Sequence, residues 1–195
     1  SEYDRRVLSI LANQSAVAIQ NAKLYEYAVT DGLTELYIHK YFHHRLEKEM
    51  EKAKRFDRTI SLIMFDIDHF KNFNDTYGHQ VGDAALVHLS KILKSTMRLT
   101  DILARYGGEE FAVILVPDPK TEQTSDIVKD IAERLRKNIE ATSLNLKSEK
   151  LKITVSIGVV SWYGEKRIDK DKLIKMADDV LYRAKREGRN RVCVW

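Results

Sequence analysis

Gly107-Gly108-Glu109-Glu110-Phe111 stands between two apolar runs, Ile102-Leu103-Ala104 and Ala112-Val113-Ile114-Leu115-Val116. A glycine pair between strand-like runs predicts a tight hairpin, because glycine takes positive φ without steric cost. Two adjacent acids at such a turn are costly unless something positive meets them. The alternative is a surface hairpin with solvated glutamates. A second acidic cluster lies upstream, in Ser61-Leu62-Ile63-Met64-Phe65-Asp66-Ile67-Asp68-His69-Phe70-Lys71. Leu62 to Phe65 form a continuous apolar run, the pattern of a strand covered on both faces, and the run ends in Asp66. If this strand lies beside the hairpin, about 4.8 Å away, Asp66 and Glu109 converge. Hard divalent cations take oxygen ligands, and Mg²⁺ commonly uses one or two carboxylates plus substrate phosphates. An Asp-x-Asp pair alone is more often a cap or turn. Together the two clusters favour metal-assisted phosphoryl chemistry.

Downstream, Phe70 to Gly82 is polar and aromatic, and an apolar-periodic segment opens at Ala84 with Ala85, Leu86, Leu89, Ile92 and Leu93. Asp83 sits just after Gly82, where an acid starting a helix would satisfy unpaired N–H groups. The functional alternative is guanine, whose N1–H and N2–H₂ donors match the two acceptor oxygens of a carboxylate. Asn74 could read the same base edge, and Asp83 argues for GTP over ATP.

A set of spaced motifs now resembles the GGDEF family of diguanylate cyclases. They are Asp31-Gly32-Leu33-Thr34, Phe65 to Lys71, Asn74-Asp75, Gly78-His79, Gly82-Asp83, Gly107 to Phe111 as a GGEEF variant, and Ala177 to Asn190. The resemblance covers Thr30 to the C-terminus. One departure is Ile38-His39-Lys40, where the family usually carries Asn-Arg-Arg; it is expected to touch local packing or dimer contacts more than chemistry. The resemblance implies condensation of two GTP into cyclic di-3′,5′-GMP with release of pyrophosphate, on two Mg²⁺ (or Mn²⁺) ions per active site. By analogy Asp66, the backbone carbonyl of Ile67, and Glu109 bind the metals, Glu110 assists, and Glu109 accepts the proton of the 3′-hydroxyl. Lys71, Lys185 and Arg189 would hold the triphosphate, and Asn74, His79 and Asp83 the guanosine. A two-metal site clamps the attacking and departing oxygens, and phosphoryl transfer otherwise depends on positioning and charge neutralisation. Lys185 and Arg189 are i, i+4 and would share a helix face. A basic last turn complementing the helix dipole explains them equally well without the family.

Arg98-Leu99-Thr100-Asp101 precedes the glycine pair at the spacing of the family's inhibitory product site. Arg98 could fork onto phosphate or a guanine edge and Asp101 could accept from guanine. A surface ion pair is the usual explanation of Arg-x-x-Asp by itself.

At 195 residues the chain has room for one domain and a small appendage, and 44% hydrophobic residues suffice for a core. A net charge of +4 suits a nucleotide substrate but is too diffuse for nucleic-acid binding. The single Cys193 excludes an internal disulfide or a cysteine-cluster metal site. Nothing approaches the length of a membrane span, no secretory signal is visible, and a cytoplasmic location follows as the expectation.

Helices are expected over Lys40 to Phe56, about Thr121 to Ala141, and Leu173 to Glu187 with Gly188 at C′; Leu151 to Val160 is expected as a strand, and Arg191 to Trp195 as a terminal one. The order suits a layered α/β (α+β) sandwich with a mixed central sheet flanked by helices. To this the resemblance adds a palm-like nucleotide cyclase fold. Residues 1–29 read as one long helix and 30–195 as the catalytic domain. Val7, Leu11, Ala18, Tyr25 and Ala28 fall at heptad spacing, with Gln14 and Asn21 on the same seam. Leu11 to Tyr25 resembles the last helix of a GAF sensory domain, so the chain is expected to be cut from a longer signalling protein; the alternative is a helix packed on its own domain. Each family domain carries one GTP, so a parallel stem would bring two half-sites together as a homodimer. Two other classes stay open, a silent receptor for cyclic di-GMP and a pure dimerisation module. Intact Asp66, Glu109 and Glu110 speak against the receptor.

Overall fold

A computed structural model describes residues 2–117, 124–146, 149–164 and 168–195. The long apolar run forms strand β2, Ile60–Ile67, with every residue buried. It lies at the centre of a six-stranded sheet in the order β1-β3-β4-β2-β7-β8. The other strands are β1 Tyr37–Ile38, β3 Ile102–Arg105, β4 Glu110–Leu115, β7 Val155–Trp162 and β8 Val192–Val194. Strands β3 and β4 form the predicted antiparallel hairpin, and β2 pairs antiparallel with both β4 and β7. Parallel pairs at the two edges, β1 with β3 and β7 with β8, make the sheet mixed.

Helices cover both faces, which is why β2 is apolar from Leu62 to Phe65; its buried Ser61 is paired with the Ser161 hydroxyl at 2.9 Å. Ile63, Phe65 and Ile67 meet the apolar sides of α4, His79–Thr96, and α5, Ser125–Ala141. Leu62 and Met64 meet α2, His39–Arg55, and α6, Lys170–Arg186. Burying each such side chain contributes ~1.5–3 kcal/mol. Thr124 and Asp169 cap α5 and α6 by accepting from the N–H groups of Ile127 and Lys172. The expected helix from Thr121 begins at Ser125, and 121–123 lie outside the described residues.

Three expectations need correction. The stretch Leu151 to Val160 is not one strand: β6, Glu149–Leu151, ends a small hairpin with β5, Leu144–Leu146, and β7 starts at Val155. Thr154 is withdrawn from the ladder because its carbonyl and hydroxyl both serve Asp68. Second, the helix of Asp83 starts at His79, after a break at Gly78 (φ 84°) that separates it from α3, Phe70–Tyr77. Asp83 is thus an exposed residue one turn inside α4, not its cap. Third, α6 ends at Arg186, so Arg189 does not continue the helix of Lys185. Gly188, at φ 122°, takes the C′ position as expected.

Residues Glu2–Val29 form helix α1. Its seam faces solvent: Val7 is 37%, Leu11 53% and Tyr25 61% exposed. Its own domain leaves this seam uncovered, and near the C-terminal end the Tyr25 ring meets that of Tyr41 at 6.4 Å.

One glycine decides how closely a helix meets the sheet. An added Cβ at Gly158 would come within 2.5 Å of the Ala177 carbonyl and of the Leu181 N–H of α6, both backbone atoms that cannot swing aside. Gly158→Val is expected to destabilise the fold by about 3 kcal/mol, lowering Tm by ~10 °C. An unchanged melting curve would show that α6 has room to retreat.

Candidate active site

In the β2–β4 register Asp66 lies opposite Glu110. Alternation along both strands puts these two acids on the α6 side of the sheet, with Leu62, Met64, Ala112 and Ile114. Like charges directly opposite are destabilising, so a cation is required nearby. Lys185, in the last turn of α6, supplies it: its Nζ lies 2.8 Å from Asp66 Oδ2. Leu181, one turn earlier, rests against Gly158, so the close approach permitted by that glycine brings the lysine down to the strand end. Glu109 stands in the turn itself, its carbonyl accepting from the Ile67 N–H at 3.3 Å.

The three acids hold their protons more tightly than usual. Burial raises the pKa of Asp66, against the opposing hydrogen bond and charge of Lys185; the charge of Arg189 also opposes the rise. Burial, then the charge of Asp66, raises Glu109 and Glu110, and Asp178 adds to the effect on Glu110. A group whose folded-state pKa is raised stabilises the fold most at low pH and loses that contribution as pH rises through the raised value. At neutral pH the cluster therefore opposes folding. Glu110→Gln is expected to raise Tm at pH 7 by ~2 °C in chelator-treated protein and to give no gain at pH 4. Equal gains at both pH values would exclude charge as the cause.

The turn owes its glycines to a different cause from the one expected. Neither Gly107 nor Gly108 has positive φ. An added Cβ at Gly107 would sit 2.6 Å from Glu110 Oε2, so this glycine keeps room for the carboxylate. Nothing lies within 4 Å of one added at Gly108, and no contact explains that residue. Arg105 fixes the turn from outside. Its Nε and Nη2 donate to the Gly108 carbonyl at 3.1 and 2.8 Å, while Nη1 reaches both oxygens of Asp31 at 3.2 Å. Asp31 in turn accepts from the Thr34 N–H and hydroxyl at 2.9 and 2.7 Å. The chain leaving α1 is thereby pinned to the acidic turn. Nothing local in the sequence marks the pairing of Arg105 with Asp31, 74 residues away.

Among the described residues no group of three or more Asp, Glu, His or Cys side chains is arranged to hold a metal ion. The donor set nevertheless fits a hard cation. It offers oxygen only, carries more negative charge than Lys185 offsets, and includes the carboxylates and main-chain carbonyl that Mg²⁺ uses alongside phosphate. Asp66, Glu109 and the Ile67 carbonyl are the oxygen groups that could hold it.

A corner of helices stands beyond this cluster. Lys71 is exposed on α3, and His79 and Asp83 are exposed one turn apart on α4. Asn74 packs on Gly82, where an added Cβ would overlap its Oδ1 at 1.8 Å. That oxygen is buried and has no hydrogen-bond partner among the described residues. An unpaired buried acceptor is costly, and a ligand donor would relieve it. Arg98 is exposed, while Asp101 is bound to its own backbone, accepting from the N–H groups of Arg98 at 3.0 Å and Val116 at 3.2 Å. The His39 ring lies 4.3 Å from that of His43 and 4.5 Å from that of Tyr106.

A family model described as diguanylate cyclase, GGDEF domain matches residues 28–191. Diguanylate cyclase A of Treponema denticola is 38% identical over 195 residues, 98% of this chain and 51% of the relative. The response regulator PleD of Caulobacter vibrioides is 39% identical over 169 residues, 86% of this chain and 36% of the relative. The solved coiled coil and GGDEF domain of DgcB from Caulobacter crescentus, in complex with c-di-GMP, has a TM-score of 0.85 at 30% identity, covering 100% of each chain. The chain spans about half the length, or less, of these curated relatives. Among the described residues no helix is long and apolar enough to cross a membrane.

Proposed function

The chain belongs to the GGDEF domain family of diguanylate cyclases, and from that premise we propose that it condenses two GTP molecules into cyclic di-3′,5′-GMP. In each half-reaction the 3′-oxygen of one GTP bonds to the α-phosphorus of the other. The bond from that phosphorus to the bridging oxygen breaks, and pyrophosphate leaves with the electron pair. Two such steps close the ring and release two pyrophosphates. The observation that carries this reading is the buried carboxylate of Asp66 set opposite Glu110 beside the Glu109 turn, with Lys185 as its counter-charge.

Glu109 takes the proton of the attacking hydroxyl, with Glu110 beside it; burial and the charge of Asp66 already favour proton uptake there. Lys71, Lys185 and Arg189 neutralise the triphosphate. Asn74 offers its unpaired oxygen to the guanine amino group, with His79 and Asp83 on the same corner. Bound Mg²⁺ or Mn²⁺ would neutralise charge at the phosphates and lower the pKa of the 3′-hydroxyl. Since each domain carries one GTP, a homodimer paired through α1 sets two half-sites face to face. Residues 1–29 serve as that stem, the last helix of a GAF-like sensory domain, and 30–195 as the catalytic unit in the cytoplasm.

The deciding experiment is incubation with GTP and MgCl₂ followed by chromatography. A cyclic dinucleotide and pyrophosphate are expected. Tight cyclic di-GMP binding without turnover would instead support the receptor. Product inhibition is assigned to Arg98 and Asp101, where grooves of about 620 and 430 Å³ adjoin. Arg98→Ala is expected to weaken inhibition by added product at least ~10-fold, the loss of a bidentate charged contact. An unchanged inhibition curve would remove the site.

A further inference from the structure

Asp68, the second acid of the Asp-x-Asp pair, has its carboxylate filled by the chain itself. Oδ1 accepts from the Ser156 hydroxyl at 2.6 Å, and Oδ2 accepts from the Thr154 hydroxyl at 2.8 Å and the Asn190 N–H at 3.0 Å. Its own N–H donates to the Thr154 carbonyl at 2.9 Å. This carboxylate is occupied in holding two strands and a loop together.

That loop is strained. Arg189 and Asn190 are consecutive non-glycine residues with φ of 62° and 45°. Such residues enter the left-handed region singly and at a cost, so a pair persists only where its surroundings over-determine it. Asn190 is clamped from two directions. Asp68 takes its backbone N–H from the β2 side. From α5, Arg136 Nη1 donates to its Oδ1 at 2.8 Å, and its Nδ2 donates to Glu140 at 2.7 Å. Arg136 is held in turn by Glu133 and Glu140, both at 2.9 Å. Arg189 lies between this clamp and the helix end, its N–H donating to the Ala184 carbonyl at 3.1 Å. The direction in which its exposed side chain leaves the backbone is thus fixed by the conformation that Asp68 and Asn190 impose.

We infer that Asp68 and Asn190 are positioning residues that aim Arg189 at the substrate's triphosphate. The inference rests on the phosphate role given to Arg189 above. Released from Asp68, the pair relaxes toward extended backbone, and the guanidinium swings away while the guanosine corner on α3 and α4 stays intact.

The test measures affinity by calorimetry, in the presence of Mg²⁺, for α,β-methylene-GTP and for GMP, which lacks the β- and γ-phosphates. Asp68→Ala is expected to weaken the triphosphate analogue about 10-fold and to leave GMP within ~2-fold. Asp68→Asn, which keeps an acceptor for the Asn190 N–H, restores most of the loss. In the double variant with Arg189→Ala, Asp68→Ala adds nothing further, because both act through one contact. Asn190→Gly tolerates the left-handed turn but loses both links to α5; it is expected to show the same selective loss, and it carries the test if Asp68→Ala does not fold. Equal weakening of GMP and analogue, or additive effects in the double variant, would overturn the inference. If Arg189→Ala weakens the analogue and neither Asp68→Ala nor Asn190→Gly does, the inference alone falls. If Arg189→Ala has no effect, the phosphate role of Arg189 falls with it.

Discussion

Asp66→Asn is expected to abolish turnover of GTP, lowering the rate about 1000-fold, or ~4 kcal/mol of transition-state stabilisation, while leaving the fold intact. The two halves of this expectation have one cause. Asp66 is only 6% exposed, and burial raises its pKa even against Lys185 at 2.8 Å. Holding that charge costs the fold free energy, so an isosteric amide is tolerated or slightly stabilising. What the amide lacks is the charge that would bind a hard cation and balance the phosphates. Thermal melts with and without MgCl₂ separate the two effects, because a ligand of the native state raises Tm by an amount that grows with the logarithm of its affinity. The wild type is expected to gain stability from the cation, and Asp66→Asn to gain none. A variant retaining a tenth of the wild-type rate would show that the chemistry lies elsewhere.

Removal of the stem has the next largest effect. A chain starting at Thr30 is expected to lose specific activity by ~100-fold at micromolar concentration and to recover it as concentration rises. Tethering two domains converts their encounter into an intramolecular one at an effective concentration of ~1 mM. Helix α1 has the surface for this: Leu8 is 65%, Leu11 53%, Val17 57% and Leu24 57% exposed, an apolar stripe that its own domain leaves uncovered. Gln14 and Asn21 on the seam would set register, as buried polar residues do in paired helices. Full specific activity of the shortened chain at high dilution would refute the arrangement. Just past the end of α1, the Asp31–Arg105–Gly108 hydrogen bonds join the chain to the acidic turn.

Much of this was legible in the chain. The apolar run before Asp66, the hairpin around Gly107-Gly108, the amphipathic α5 and α6, and the uninterrupted α1 are each local patterns, and each formed near its expected limits. The acids at the strand end and turn were readable for the same reason: their position depends on where a strand stops. The failures are also physical. Spacing alone places Arg189 on the helix of Lys185, but Gly188 ends that helix and the loop beyond is shaped by Asp68 and Asn190. Of the two readings of Asp83, the helix-starting one fails because Gly78 breaks the chain earlier and α4 begins at His79.

Local sequence decided which segments are strands and helices and which carry carboxylates, because backbone preference and hydrophobic period act over neighbouring residues. Only the tertiary structure decided that Asp66 faces Glu110 rather than Glu109, that Gly158 admits α6 close enough to deliver Lys185, and that Arg105 holds Asp31 to the turn. Those outcomes depend on sheet register and on contacts between residues far apart in the chain, and no local period encodes either.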